Sequence, residues 1–321
     1  SAHLALAHLA LAHWAGPFGP CPFGQPIWRL AGPFGPGSFG RPIWPWPVWP
    51  AHLALAHLAL ALLASLAVLV AGSVVNATRF EVKTIQLTSS KIAVPLRAVQ
   101  ISDVHVGSRT PRFLSKVVDA VNALEADVIF ITGDLIDGQA VPRSELQVLS
   151  TLNAPTIFII GNHERYVDCD DICARLSSLG LRVLRNATER ICVGNVELCV
   201  TGIDDAEDPR QVAEVLTSME PAWEDFADSY SVLLYHRPDG LEDAAARGFD
   251  LMLCGHTHNG QMIPFNTLVK RRFPRIKGLY RVDPTTLYVS VGTGTWGPPM
   301  RLGSVNELTL FEFTPPRPGL A

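Results

Sequence analysis

Between residues 95 and 258, five short apolar runs each stop at residues able to bind metal or move protons. PLRAVQIS (95–102) runs into Asp103-Val104-His105, and DVIFIT (127–132) into Gly133-Asp134-Leu135-Ile136-Asp137. PTIFII (155–160) ends at Gly161-Asn162-His163-Glu164, SVLLY (231–235) at His236, and DLMLC (250–254) at Gly255-His256-Thr257-His258. Runs of this length, rich in Ile, Val and Phe, predict buried strands, and residues 113–124 between the first two carry apolar side chains at helical spacing. Alternating strands and helices predict an α/β fold. Such sheets build their sites where the strands end, because the loops there are free to turn while the strands hold them close together.

The histidines narrow the chemistry. After residue 75 there are five, His105, His163, His236, His256 and His258, and each lies at one of these strand ends. A single histidine in that position is ordinarily a hydrogen-bonded structural residue. Five of five, joined by Asp103, Asp134 and Asn162, are not. Mixed oxygen and nitrogen donors suit Mn²⁺, Fe, Zn²⁺ or Co²⁺ better than Ca²⁺, and the absence of cysteine from the set argues against a structural zinc. There are more donors than one ion uses. Two ions about 3.5–4 Å apart, sharing one carboxylate, would use them all, and such a pair activates water and clamps an in-line displacement at phosphorus.

The order D-x-H, G-D-x-x-D, G-N-H-E, H, G-H-x-H resembles the calcineurin-like metallophosphoesterase superfamily, with all five blocks in sequence over residues 103–258. The segments GHTHNGQ (255–261) and GTWGPPMRLG (294–303), together with an apolar N-terminal stretch, resemble its membrane-anchored bacterial branch. Where that branch often has Gly after the second His of G-H-x-H, this chain has Asn259. The resemblance implies a four-layer α/β/β/α sandwich over residues 80–315. It also implies two divalent ions, with Asp103, His105 and His258 on one and Asn162, His236 and His256 on the other. Asp134 would bridge them, and His163 would donate a proton or stabilise charge at the leaving group. Asp137 and Glu164 would orient the ligands and fix the His163 ring. The activity implied is hydrolysis of a phosphoester by a metal-bridging hydroxide. The alternatives are a nuclease-type phosphodiesterase and a non-catalytic membrane scaffold with a metal-stabilised fold; the intact ligand set speaks against the scaffold.

The other constraint lies at the N-terminus. Residues 51–75, AHLALAHLALALLASLAVLVAGSVV, contain no formal charge if the histidines are neutral. As a helix they extend about 37 Å at about 1.5 Å per residue, enough for a bilayer core of about 30 Å. They predict a transmembrane segment, which makes a phospholipid or lipid-linked phosphate an attractive substrate. The string AHLALAHLALA occurs at 2–12 and again at 51–61, and a 16-residue repeat fills 15–46. Residues 1–50 hold ten Pro, seven Gly and five of the seven Trp, which predicts an interfacial or irregular leader. Histidines 3, 8, 13, 52 and 57 recur every five residues, about 140° apart around a helix, so they share no face and predict no metal site. Arg29 and Arg41 precede the apolar segment, while Arg79, Lys83, Lys91 and Arg97 follow it closely. That two-against-four balance favours a cytoplasmic C-terminal domain.

Charge and cysteines exclude other classes. Residues 76–321 carry 24 basic and 30 acidic side chains, a net of −6, which argues against a nucleic-acid partner. A two-residue turn at Gly194-Asn195 would pair Cys192 with Glu197 and keep Cys192 away from Cys199. Cys169 and Cys173, at i,i+4, are expected to be free thiols. Gly292-Thr293-Gly294-Thr295-Trp296-Gly297 matches a dinucleotide fingerprint, but Pro298-Pro299 follows where a helix would have to start, so a loop near the metal site is expected. Lys270-Arg271-Arg272, with Arg275 and Lys277, is expected to be a solvated loop, anionic headgroups being the alternative partner.

Overall fold

In the computed structural model, residues 49–138, 141–220, 223 and 228–316 are described. The leader expected over 1–50 lies outside them, except for its last two residues. The chain divides into two compact units, Ser1–Leu53 and Ala54–Ala321. Only the start of the first helix belongs to the described part of the former.

That helix, α1, spans Trp49–Asn76. It is followed by β1 (Phe80–Thr88), β2 (Leu96–Ile101), α2 (Pro111–Asn122), β3 (Val128–Thr132), α3 (Arg143–Leu146) and β4 (Thr156–Ile159). Next come α4 (Asn162–Arg165), α5 (Cys169–Ser178), β5 (Arg182–Val183), β6 (Ala187–Val193), β7 (Val196–Gly202) and α6 (Arg210–Met219). The chain continues through β8 (Tyr230–Leu234), α7 (Leu241–Ala246), β9 (Leu251–Cys254), α8 (Asn266–Arg272), β10 (Gly278–Val282), β11 (Thr285–Val289) and β12 (Asn306–Thr314). All five expected strands form, as β2, β3, β4, β8 and β9. The expected helix over 113–124 forms as α2, two residues earlier at each end.

The strands make two six-stranded mixed sheets, β1-β12-β2-β3-β4-β5 and β10-β11-β9-β8-β7-β6. Both faces of the central strands are buried, and the two-residue period of a strand sorts their side chains between layers. Val128 and Phe130 of β3 enter the core between the sheets, together with Val232 and Leu234 of β8. Ile129 and Ile131 face outward onto Phe113, Val117 and Val121 of α2 and Ile172 of α5. Leu233 and Met252 face the other way, onto Val212 and Leu216 of α6 and Leu241 of α7. Helices therefore cover both outer faces, giving the four-layer α/β/β/α sandwich. Within each sheet the site-bearing strands run parallel, β2-β3-β4 and β8-β9, so their C-terminal ends lie side by side.

The Gly194-Asn195 hairpin has the expected register, with Cys192 opposite Glu197. The cysteines of the described residues are free, and the Cys169 and Cys173 sulfurs are 3.9 Å apart. One expectation is corrected: Lys270, Arg271 and Arg272 form the last turn of α8 instead of a loop. Phe265, Val269 and Phe273, spaced four apart, give that segment a helical apolar side that the basic residues hide from a reading by charge.

Candidate metal centre

The residues after β2 run beside the residues after β3. Asp103 N–H donates to Gly133 O (3.0 Å), His105 N–H to Asp134 O (3.1 Å) and Val106 N–H to Leu135 O (2.8 Å). Contacts across the sheet seam complete the frame. The His256 N–H donates to the Asp103 carboxylate at 3.1 Å. Gln100, on β2, donates to both Cys254 O and Thr132 Oγ1 at 2.9 Å. Left-handed backbone recurs here: φ is 56° at Asp103, 59° at His105, 51° at Asp134, 69° at His256 and 49° at His258. Such conformations cost about 1–3 kcal/mol each for a residue with a Cβ, so the surrounding packing must hold them. Glycines make room for the carboxylates. A Cβ on Gly161 would lie 2.2 Å from Asp134 Oδ1, and one on Gly255 would lie 2.3 Å from Asp103 Oδ2.

Two donor groups converge, each with ligand atoms within 4.8 Å of one another: Asp103, His105 and His258, and Asp134, His236 and His256. In the first, His105 Nε2 is 3.0 Å from His258 Nε2, and His258 Nε2 is 3.3 Å from Asp103 Oδ1. In the second, Asp134 Oδ2 is 3.1 Å from His236 Nε2, which is 3.2 Å from His256 Nδ1. His236 Nδ1 donates to Thr132 O at 2.8 Å, which turns Nε2 toward the carboxylate. Asn162 sits at the start of α4, and its Oδ1 is buried with no hydrogen-bond partner. An acceptor left in that state costs about 1–3 kcal/mol, which a cation would offset. The orphaned oxygen and the convergent imidazoles and carboxylates fit divalent metal. Histidines 52 and 57 of α1 join none of these groups.

A third grouping, His105, Asp137 and His163, is a hydrogen-bonded bridge. Asp137 Oδ1 accepts from His105 Nδ1 and, at 2.7 Å, from His163 Nδ1. Glu164 touches no imidazole. Its carboxylate accepts the N–H groups of Asp134 (3.0 Å), Ile136 (2.9 Å) and Gly161 (2.8 Å), so it orients the ligands through the backbone and does not fix the His163 ring. Burial, then neighbouring Asp134, pushes Glu164 up to about 7, with the backbone donors opposing. Burial also opposes a charge on His236, but Asp134, with Asp103 and Asp205 adding to it, raises that imidazole to about 10. Burial, reinforced by the His236 charge, takes His256 down to about 2, and burial holds His258 well below the ordinary range. The neutral imidazoles of His256 and His258 keep their lone pairs free to coordinate, whereas His236 would have to release a proton to a metal first.

Sequence reasoning missed Arg301. Its guanidinium is fully buried and donates to Val291 O (2.8 Å), Gly292 O (3.1 Å) and Gly294 O. It also lies 3.4 Å from His258 Nδ1. It therefore shapes the glycine-rich loop, which is non-helical as expected, and presses that loop against the site. Arg301 lies in the GTWGPPMRLG segment that carried the resemblance, but its role was not legible there, since its partners are carbonyls brought in by the fold. A cavity of about 670 Å³ opens onto the centre. His105, Asp134, Asn162, His163, His256 and His258 line it, while Asp103 and His236 are fully buried. Met262, Phe265, Val269, Phe273, Trp296 and Pro298 add an apolar part to the lining.

Fold and centre together define a metal-binding α/β/β/α protein of hydrolase type. Residues 96–260 match the family model described as calcineurin-like phosphoesterase, and the chain belongs to that family. It is 32% identical over 260 residues to an uncharacterised metallophosphoesterase of Helicobacter pylori, covering 79% of this chain and 69% of the relative. An uncharacterised metallophosphoesterase of Aquifex aeolicus is 31% identical, covering 73% and 91%. A Bos taurus relative named transmembrane protein with metallophosphoesterase domain is 37% identical over 67% of this chain, which spans about half of that protein's length (52%).

Proposed function

We propose that this chain is a membrane-anchored hydrolase of phosphoesters that works with two divalent metal ions drawn from Mn, Fe, Zn and Co. The observation that carries the reading is the convergence of two imidazole–carboxylate groups, with an orphaned amide oxygen, at the wall of one cavity. In this reading Asp103, His105 and His258 hold one ion, Asn162, His236 and His256 the other, and Asp134 touches both. When bound, the ions polarise the phosphoryl oxygens and make an attacking water acidic.

The chain's own residues supply the rest. His163 Nδ1 is held by Asp137 at 2.7 Å, which leaves Nε2 as the atom that donates a proton to the departing oxygen. Burial opposes a charge on His163, but the hydrogen bond to Asp137 and the charges of Asp134 and Asp137 raise its pKa, the direction that favours an acid role. Asp134 Oδ1 accepts the His163 N–H at 2.9 Å, fixing the backbone from which that imidazole projects.

Membrane anchoring rests on α1. Residues His52–Asn76 form 25 residues long and apolar enough to cross a bilayer. Twelve of their Leu and Val side chains are 39–71% exposed. At about 1.5–3 kcal/mol per side chain left in water, that exposure would rival the whole stability of a domain, about 5–15 kcal/mol, and a lipid environment removes it. An anchor beside the site makes a phospholipid or lipid-linked phosphate the natural substrate. The test is to strip the full-length protein of metal and assay a phosphoester panel after adding Mn²⁺, Zn²⁺ or Mg²⁺. Hydrolysis restored by one of them is expected; no turnover of monoester, diester or pyrophosphate with any metal would overturn the reading.

A further inference from the structure

We propose that the site has a second compartment, which takes the hydrocarbon chain of an amphiphilic phosphoester entering from the bilayer surface. This rests on the hydrolase reading above and deepens it. A phosphoryl group and its leaving oxygen would fill only part of the roughly 670 Å³ cavity. Met262, Phe265, Val269 and Phe273 give the rest of the lining an apolar character. Phe273 joins the two compartments: its ring packs edge-on against His256, with centroids 5.0 Å apart. Of the lining residues, Phe265 (47%) and Trp296 (56%) leave much of their apolar surface exposed, and so do Ile263 (54%) and Leu268 (53%), which are close to Phe265 in the chain, an arrangement a water-facing rim does not need.

The rim is continuous with the end of α1. Ser73 O accepts the Arg301 N–H at 2.8 Å, and Asn76 Nδ2 donates to Arg301 O at 3.2 Å. The next residue, Leu302, accepts the Ile263 N–H at 3.0 Å. Gln261 ties this corner to Trp296, donating to its carbonyl (3.0 Å) and accepting its N–H (2.9 Å). The helix that would leave the bilayer at Asn76 is thus bonded to the segments that form the cavity's lip. Lys270, Arg271 and Arg272 form the exposed last turn of α8, the helix whose Val269 lines the cavity, and anionic headgroups would meet them there. The geometry gives an amphiphile a route in which its chain stays in apolar surroundings while its phosphoester reaches His163 and the ligand groups.

The test uses the full-length, metal-loaded protein in lipid nanodiscs and n-alkylphosphonates from ethyl to octyl as competitive inhibitors of phosphoester hydrolysis. Burial of each methylene should strengthen inhibition about fourfold, from about 0.8 kcal/mol per CH₂. Phe265→Ser and Val269→Asn, at residues the fold leaves wholly or partly exposed, should flatten that slope. A flat wild-type slope with measurable ethylphosphonate inhibition would overturn the compartment and leave the hydrolase reading standing. A steep slope unchanged in both variants would place the chain in the bilayer or elsewhere and would also overturn it. Absence of hydrolysis itself, with phosphonates of every length failing to bind, would remove the hydrolase reading and the compartment with it.

Discussion

At the scale of single residues, position 163 separates acid catalysis from metal binding. A general acid contributes about 10²–10⁴-fold, so His163→Ala should lose that much kcat on esters with alkoxide leaving groups while keeping its metal. With p-nitrophenolate, which departs without a proton, the loss should be far smaller. Equal losses on both would refute the acid role, and metal lost together with activity would make His163 a ligand. Asp134 is the residue assigned to both ions. Asp134→Asn should therefore weaken both sites, whereas His258→Ala should empty mainly one, as read by metal analysis against a wild-type value near two per chain. A wild-type value of one under excess metal would sink the two-ion assignment.

At the scale of elements, the turn from β4 into α4 packs closely against the centre. Gly161 has an ordinary φ of −103°, so it is required by proximity and not by conformation. With a Cβ 2.2 Å from Asp134 Oδ1, Gly161→Ala should displace that carboxylate, lower metal content and reduce Tm. Overpacking of about 1–3 kcal/mol corresponds to roughly 2–12 °C in a domain of this size. An alanine variant with normal metal and Tm would mean the carboxylate has room to move. Helix α1 makes a separate prediction. The full chain should remain with membranes through carbonate extraction, and release into the supernatant would remove the span. In sealed right-side-out vesicles, a cytoplasmic C-terminal domain should resist added protease; digestion would reverse the orientation.

At the scale of the whole molecule, the donors come from both sheets. Asp103, His105, Asp134 and Asn162 follow strands of one, and His236, His256 and His258 follow strands of the other. Metal bound by both should hold the sheets together across their seam. A ligand at a hundred times its Kd adds about 2.7 kcal/mol, so chelation should lower Tm by roughly 5–10 °C for each such site, reversibly on adding metal back. A Tm unaffected by a chelator that abolishes activity would mean that metal does not tie the sheets.

Five of the twelve strands and the polar residues that stop them were legible in the sequence, because apolar runs such as DVIFIT are local patterns. So was the register of the Gly194-Asn195 turn, which sets Cys192 opposite Glu197. The pairing of donors was not legible from spacing; the family resemblance alone implied it. His105 meets His258 across 153 residues, and His236 meets Thr132 across 104, distances over which no periodicity carries information. Nor was Glu164's role, since its partners are backbone N–H groups that every sequence possesses. The same holds for Arg301, whose carbonyl partners carry no side-chain signal. The apolar compartment was hidden most deeply: α8 reads as a basic run, and only the folded chain turns Phe265, Val269 and Phe273 toward the metal ligands and the charges toward solvent. Local spacing determines which groups a strand delivers; only the crossing of two sheets decides which of them share a cavity.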